Sequence, residues 1–200
     1  APATGKTVAV IGGGPGGLTS AYFLARKGHK VTVYEQRPKL GGMLRYGIPD
    51  YRLPQEVLDR DIDYILSAGI AVHTGVSIGK DLTMADIQRS FDAVYIAIGA
   101  HNDKKLGLEG ETSKNVVSAV ELLRGIGEGK APDFTGKKVC VVGGGVGCAI
   151  AYPVLKKFHD DGAEVHAVVG FKNKDLVILE DDFKKSSDKL VVCTDDGSYG

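Results

Sequence analysis

Gly12, Gly14 and Gly17 stand at G-x-G-x-x-G spacing, and Glu35 follows 18 residues after the last of them. These residue types suit a diphosphate-bearing ligand. A first glycine permits a tight turn, a second lets a phosphate approach the backbone, and a third lets a helix lie close to a strand. A helix start adds unpaired N–H groups and a partial positive charge. A carboxylate such as Glu35 accepts hydrogen bonds from ribose hydroxyls.

A second glycine turn lies at Gly143, Gly144, Gly145, Val146 and Gly147. Here the third place of the spacing holds Cys148. Five histidines, His29, His73, His101, His159 and His166, are scattered, and none sits in a motif. No nucleophile–base set and no metal-ligating spacing stands out, so the site residues are all cofactor-binding.

The elements that must position these residues follow from periodicity. Val8–Ile11 is a short apolar run, the pattern of a strand buried on both faces. Leu18, Ala21, Tyr22 and Ala25 recur at helical spacing, and Gly28 ends that helix. His29–Tyr34 reads as the next strand, with Glu35 at its end. Pro54 opens a helix whose apolar stripe is Leu58, Ile62, Ile65 and Leu66. Thr83 with Asp86, and Ser118 with Glu121, have capping-box spacing. The runs 92–100, apolar after Asp92, and 139–142, apolar throughout, read as buried strands. Pro153 falls within the helix after the second turn, which predicts a late start or a kink. The alternation predicts an α/β fold of Rossmann-like parallel sheets with two dinucleotide-binding units. The expected bounds are residues 1–125, a linker over 126–137, and a second unit over 138–200.

Composition narrows the classes. Lys plus Arg and Asp plus Glu both number 25, so the formal net charge is zero, which disfavours nucleic acid as a partner. Glycine is in excess at 28 of 200 residues, clustered rather than periodic, which marks sharp turns and close approaches. Cys140, Cys148 and Cys193 form no C-x-x-C, and the sparse, odd count fits a reducing, cytoplasmic setting. No apolar run approaches the ~20 residues of a membrane span.

The stretches "GGGPGGLTSAYFLARKGHKVTVYE", "GGMLRYGIPDYRLP" and "YIAIGA" together resemble a known family over about residues 5–142. It is the flavin-carrying small subunit of NADPH-dependent glutamate synthase, with the NADPH-dependent ferredoxin oxidoreductases and the flavin domain of dihydropyrimidine dehydrogenase. The resemblance implies FAD held by Gly12, Gly13, Gly14, Pro15, Gly16, Gly17 and Leu18, by Glu35 and Gln36, and by Gly41, Gly42 and Met43. It implies that Arg52 reaches the flavin, that Val76 meets the adenine, and that Gly99 ends a strand between the FAD and pyridine-nucleotide domains. Taken alone, Arg52 also admits a surface reading, and Val76 reads equally as an ordinary strand residue.

From about residue 136, "GGGVGCAIAYPVLKK", "VGFKNKDLVILEDDFKK" and "CTDDGSYG" resemble the pyridine-nucleotide domain of ferredoxin–NADP⁺ reductase-type proteins. The electron-transfer subunit of dihydroorotate dehydrogenase is one of these. This resemblance implies NADP or NAD at Gly143, Gly144, Gly145, Val146 and Gly147, with Lys172 near the adenosine ribose or its 2′-phosphate. Taken alone, Lys172 reads equally as a solvated lysine. Against both families the two units look incomplete: a late strand with a Gly–Asp pair, and cluster-binding cysteines, are expected but not found. Whether the chain is a fragment or a fusion stays open at this level.

The combined expectation is a FAD-dependent NAD(P)H oxidoreductase. It would pass electrons from NAD(P)H through FAD to an iron–sulfur subunit, a ferredoxin or a glutamate synthase large subunit. The alternative is a non-catalytic dinucleotide-binding module used for structure or assembly.

Overall fold

A computed structural model describes residues 1–200 apart from Lys104 and Leu106. The chain divides into two compact units, Ala1–Ala131 and Pro132–Gly200.

The first unit runs β1 (Thr7–Ile11), α1 (Pro15–Arg26), β2 (Lys30–Glu35), α2 (Met43–Tyr46), α3 (Gln55–Leu66), β3 (Ala71–Thr74), α4 (Met84–Ser90), β4 (Ala93–Ile96) and α5 (Ala119–Gly127). Its sheet has the order β3-β2-β1-β4, with every pair parallel. Parallel pairing requires crossovers, and α1, α3 and α4 supply them. Val10, Val31 and Val33 are fully buried in the central strands. They pack with Leu18 and Ala21 of α1, Leu58 and Ile62 of α3, and Leu40. Gly28, at φ +90°, ends the chain's turn out of α1, as its place in sequence requires.

The second unit runs β5 (Lys138–Gly144), a 3₁₀ turn (Gly145–Gly147), α6 (Cys148–Asp160), β6 (Glu164–Phe171), a 3₁₀ turn (Lys174–Leu176), α7 (Glu180–Lys185) and β7 (Lys189–Thr194). Its sheet has the order β5-β6-β7, again parallel. Its core gathers Leu155 and Phe158 of α6, Val165, Ala167 and Val169 of β6, and Phe183 of α7. The architecture is thus α/β with two Rossmann-like parallel sheets, as the alternating pattern predicts.

Two expectations need correction. The runs read as fully buried strands are edge strands. β4 leaves Tyr95 and Ile96 exposed, and Val142 of β5 is 68% exposed. An apolar run reports affinity for a covered face, but an edge position leaves one side bare. The division between the units, at Ala131 and Pro132, falls inside the stretch 126–137. Phe134 packs against Phe158 within the second unit, the rings tilted by 57°, and Glu128 is ion-paired with Arg37 within the first. The Ser118–Glu121 spacing yields only a simple cap, with Ser118 Oγ accepting from Val120 N at 3.2 Å. Thr83 and Asp86 do form the reciprocal box. Pro153 sits inside α6, which starts only at Cys148.

Among the described residues no helix is long and apolar enough to cross a membrane.

Candidate functional site

The first glycine turn is built by extending β1 between its two neighbours. Gly12 N donates to Tyr34 O at 2.8 Å, and Ala97 N donates to Ile11 O at 2.8 Å. Gly12 adopts φ +111°, and a Cβ there would run into the Ala97 carbonyl. A Cβ on Gly17 would run into the Gly12 carbonyl oxygen, so α1 lies as close to β1 as backbone allows.

The amides of this turn are not equivalent. Gly13 N donates to Glu35 Oε2 at 2.7 Å, and Leu18 N donates to Gly14 O at 2.9 Å. Leu18 itself is a core side chain. The N–H groups of Gly14, Gly16 and Gly17 begin the helix and have no acceptor inside it, while Pro15 contributes none. Space lies open beside them: a Cβ on Gly14 would meet only Gly42 Cα, at 3.6 Å, and one on Gly16 would meet nothing within 4 Å.

Glu35 is 6% exposed at the end of β2. Its Oε1 accepts from Arg37 N at 2.8 Å, while Oε2 takes Gly13 N. Each carboxylate oxygen has a second lone pair. The carboxylate therefore fixes the turn and still has capacity to accept from a hydroxyl.

A glycine loop closes over the turn. Gly41 N donates to Gly13 O at 2.8 Å, and Gly42, at φ +52°, has room for no Cβ because Gly14 Cα would stand 2.7 Å away. The loop is anchored by Arg45, which is 3% exposed. Its guanidinium donates to Leu40 O and Gln55 Oε1 and is ion-paired with Asp59. Sequence reasoning passed over Arg45, because its partners on α3 lie ten and more residues away and follow no short spacing.

These parts enclose a cleft of about 750 Å³. Of the residues singled out in sequence, Gly12, Gly14, Pro15 and Gly16 line it on the turn, with Glu35 and Gln36 at the end of β2. Gly42, Met43, Val76 and Gly99 line it too. Val76 N is committed to Glu35 O at 3.0 Å, so its carbonyl and side chain are what it can offer a ligand. Gly13, Gly17, Leu18 and Gly41 shape the cleft from behind. Arg52 does not join it: it is exposed, in the turn before α3. Ile98 and His101, after β4, line the cleft without having been singled out as site residues.

The second turn has different geometry. β5 continues through Gly143 and Gly144, pairing them with Val169 and Gly170, whereas β1 stops before Gly12. Gly143 provides the close approach here: a Cβ on it would lie 3.1 Å from Cys148 Sγ and 3.3 Å from Ala151 Cβ. Cys148, in place of a third glycine, is fully buried, and burial pushes its thiol pKa up. With that side chain under the turn, a 3₁₀ segment intervenes and α6 starts late. Gly144, Gly145 and Gly147 have open space around them, and Val146 is 86% exposed. Lys172 is exposed just past β6, and its carbonyl accepts from Asp196 N at 3.3 Å.

The family model of the pyridine nucleotide-disulphide oxidoreductases matches residues 6–193, through both turns. The chain belongs to this family. Among curated relatives, the beta subunit of the NADP(+)-dependent formate dehydrogenase of Moorella thermoacetica is 44% identical over 144 residues. That match covers 71% of this chain and 20% of the relative. The small chain of the NADPH glutamate synthase of Escherichia coli K12 is 36% identical over 152 residues, covering 71% of this chain and 32% of its own. The chain thus spans between a fifth and a third of these relatives. Mycobacterium tuberculosis FprA in complex with NADPH superposes with a TM-score of 0.70 at 18% identity, over 86% of this chain and 44% of that one. A 2-naphthoyl-CoA reductase complexed with 2-naphthoyl-CoA gives a TM-score of 0.66 at 25% identity, over 96% of this chain and 28% of that one.

Proposed function

We propose that the chain is the nucleotide-binding portion of a FAD-dependent NAD(P)H oxidoreductase, with FAD in the first unit and NADP or NAD in the second. One observation carries this reading: a cleft that sets the free amides of Gly14, Gly16 and Gly17 beside the buried carboxylate of Glu35. Donors for a diphosphate and an acceptor for a ribose diol are what the adenosine half of FAD needs. Gly12, Gly13, Gly17, Leu18 and Gly41 hold the turn in shape, and Pro15, Gln36, Gly42, Met43, Val76 and Gly99 form the walls.

In the second unit, Gly143 to Gly147 and Lys172 lie at the carboxyl ends of parallel strands, where open α/β sheets take ligands. Lys172 would meet the adenosine ribose or a 2′-phosphate. Arg52, exposed outside the cleft, would reach a flavin only by swinging inward.

When bound, FAD would accept the reducing equivalents of NAD(P)H, which makes acid–base side chains unnecessary for that step. The chain's own residues bind and orient. The glycine turn fixes the diphosphate, Glu35 fixes the ribose, and the loop at Gly41–Met43 walls the cleft. Relatives named as subunits of formate dehydrogenase and glutamate synthase support a protein partner as electron acceptor. An iron–sulfur subunit, a ferredoxin or a synthase large subunit fits that role, in a cytoplasmic setting.

Titration with FAD, ADP and NADPH, followed by anaerobic addition of NADPH with the visible spectrum recorded, tests the proposal. Tight FAD binding and bleaching of the flavin bands are expected. FAD bound without bleaching, with ADP bound equally well, would favour a non-catalytic dinucleotide-binding module instead.

A further inference from the structure

Arg37 follows Glu35 by two residues and performs three tasks. Its N–H donates to Glu35 Oε1 at 2.8 Å, and its carbonyl accepts from Gly75 N at 3.0 Å. Its guanidinium forms an ion pair with Glu128, and it lies 5.7 Å from the centre of the Tyr46 ring. Both members of the ion pair are about four-fifths buried as side chains. Glu128 also accepts from Lys130 Nζ at 3.1 Å. The Lys130 bond, with Arg37 beside it, holds the Glu128 carboxyl below its usual range against the opposing effect of burial.

Glu128 is well placed to act as an anchor. It caps α5, which is docked on α2 through Gly127. A Cβ on Gly127 would lie 2.8 Å from Arg45 O and 3.0 Å from Tyr46 Cα, so α5 sits against backbone and has little freedom to slide. One helical turn before Glu128, the Arg124 guanidinium donates to the carbonyl of His101, which lines the nucleotide cleft. The helix therefore touches the segment after β2 and the segment after β4, the two walls of one cleft.

The geometry points to Arg37 and Glu128 as positioning residues for the ribose-facing carboxylate of Glu35. The ion pair pins the 36–39 loop to α5, and the pinned loop presents the Arg37 N–H to Oε1. With the pair broken, the loop gains freedom. The Gly75 bond still holds the Arg37 carbonyl, but the Arg37 N–H swings about it, and the outward lone pairs of Glu35 spread over a wider range of directions. Precision of about half an ångström in such groups decides affinity. This inference rests on the reading of the cleft as an adenosine-diphosphate site.

The test measures equilibrium binding of ADP and of 2′,3′-dideoxy-ADP to the full chain. The wild type is expected to prefer ADP, and Glu35→Gln to abolish the preference. Arg37→Ala and Glu128→Gln are each expected to lower ADP affinity by about five- to tenfold while leaving dideoxy-ADP unchanged, the scale of a partly buried charge pair. The double substitution should be no worse than either single one, because the two act through one contact. Equal loss of both ligands, or a fully retained preference, overturns the inference, since a general weakening of the fold cannot distinguish a diol from its absence. If Arg37→Ala does not fold, Glu128→Gln alone decides by the same ratio. Failure of the wild type to bind ADP or FAD at all would instead overturn the reading of the cleft.

Discussion

Gly12 and Ala97 touch backbone to backbone: Gly12 has its open side toward the Ala97 carbonyl, with no room for a methyl group. β1 and the end of β4 meet there, so the floor of the cleft is made by the absence of a side chain. Gly14, two residues on, has open space on its corresponding side.

Substitution should separate these two glycines. Gly12→Ala forces both a clash and a left-handed φ on a residue with a side chain, and should cost at least ~2 kcal/mol of stability. Gly14→Ala meets nothing closer than Gly42 Cα at 3.6 Å, at an extended φ/ψ that alanine adopts. It should leave the urea midpoint nearly unchanged and weaken ADP or FAD binding by roughly tenfold, by standing where a phosphate approaches. Chemical denaturation and binding titration check the pair.

Arg45 should behave as a loop anchor. Arg45→Met removes three interactions of a buried guanidinium and is expected to cost ~1–3 kcal/mol, with Asp59 half exposed and able to take water instead. Arg45→Lys should not restore the loss, because one ammonium cannot span Leu40 O, Gln55 and Asp59. Denaturation midpoints of the two variants decide it.

Asp92 ties the start of β4 to β1. The Thr7 N–H, then Lys6 and the Thr7 hydroxyl, lower its pKa from 3.8 to about 2. A carboxyl depressed on folding stabilises the native state above its unfolded pKa, and that contribution is lost as the pH falls through the folded value. Asp92→Asn should therefore be less stable than the wild type at pH 6. The gap should close as the pH drops from about 4 toward 2, as followed by circular dichroism.

The three cysteines should differ in reactivity. Cys140 and Cys193 are exposed, while Cys148 is buried under the second turn with its pKa raised. A thiol-specific chromogenic disulfide should react quickly with two thiols per native chain and with the third only after denaturation. Three fast thiols would show that the second turn opens readily.

Much of the site was legible because its chemistry is local. The spacing of Gly12, Gly14 and Gly17, and Glu35 at the end of the next strand, are fixed by one βαβ unit, and periodicity finds such units. The Thr83–Asp86 box was legible for the same reason. The role of Glu35 toward Gly13 was not, because a carboxylate's inward bond leaves no trace in spacing. Arg37 with Glu128, and Arg45 with Asp59, escaped because long-range ion pairs depend on how helices dock. The burial of β4 and β5 was overestimated: an apolar run reports what a strand prefers to touch, whereas its rank in the sheet decides what it does touch.

The order β3-β2-β1-β4 also accounts for the cleft itself. From β1 the polypeptide travels outward to β2 and β3 on one flank, then returns to the other flank as β4. The strand order therefore reverses at β1, and open α/β sheets hold their crevice beyond the carboxyl ends of the strands at such a point. The wiring of the sheet dictates that there is a hollow, and the side chains around it only choose the guest.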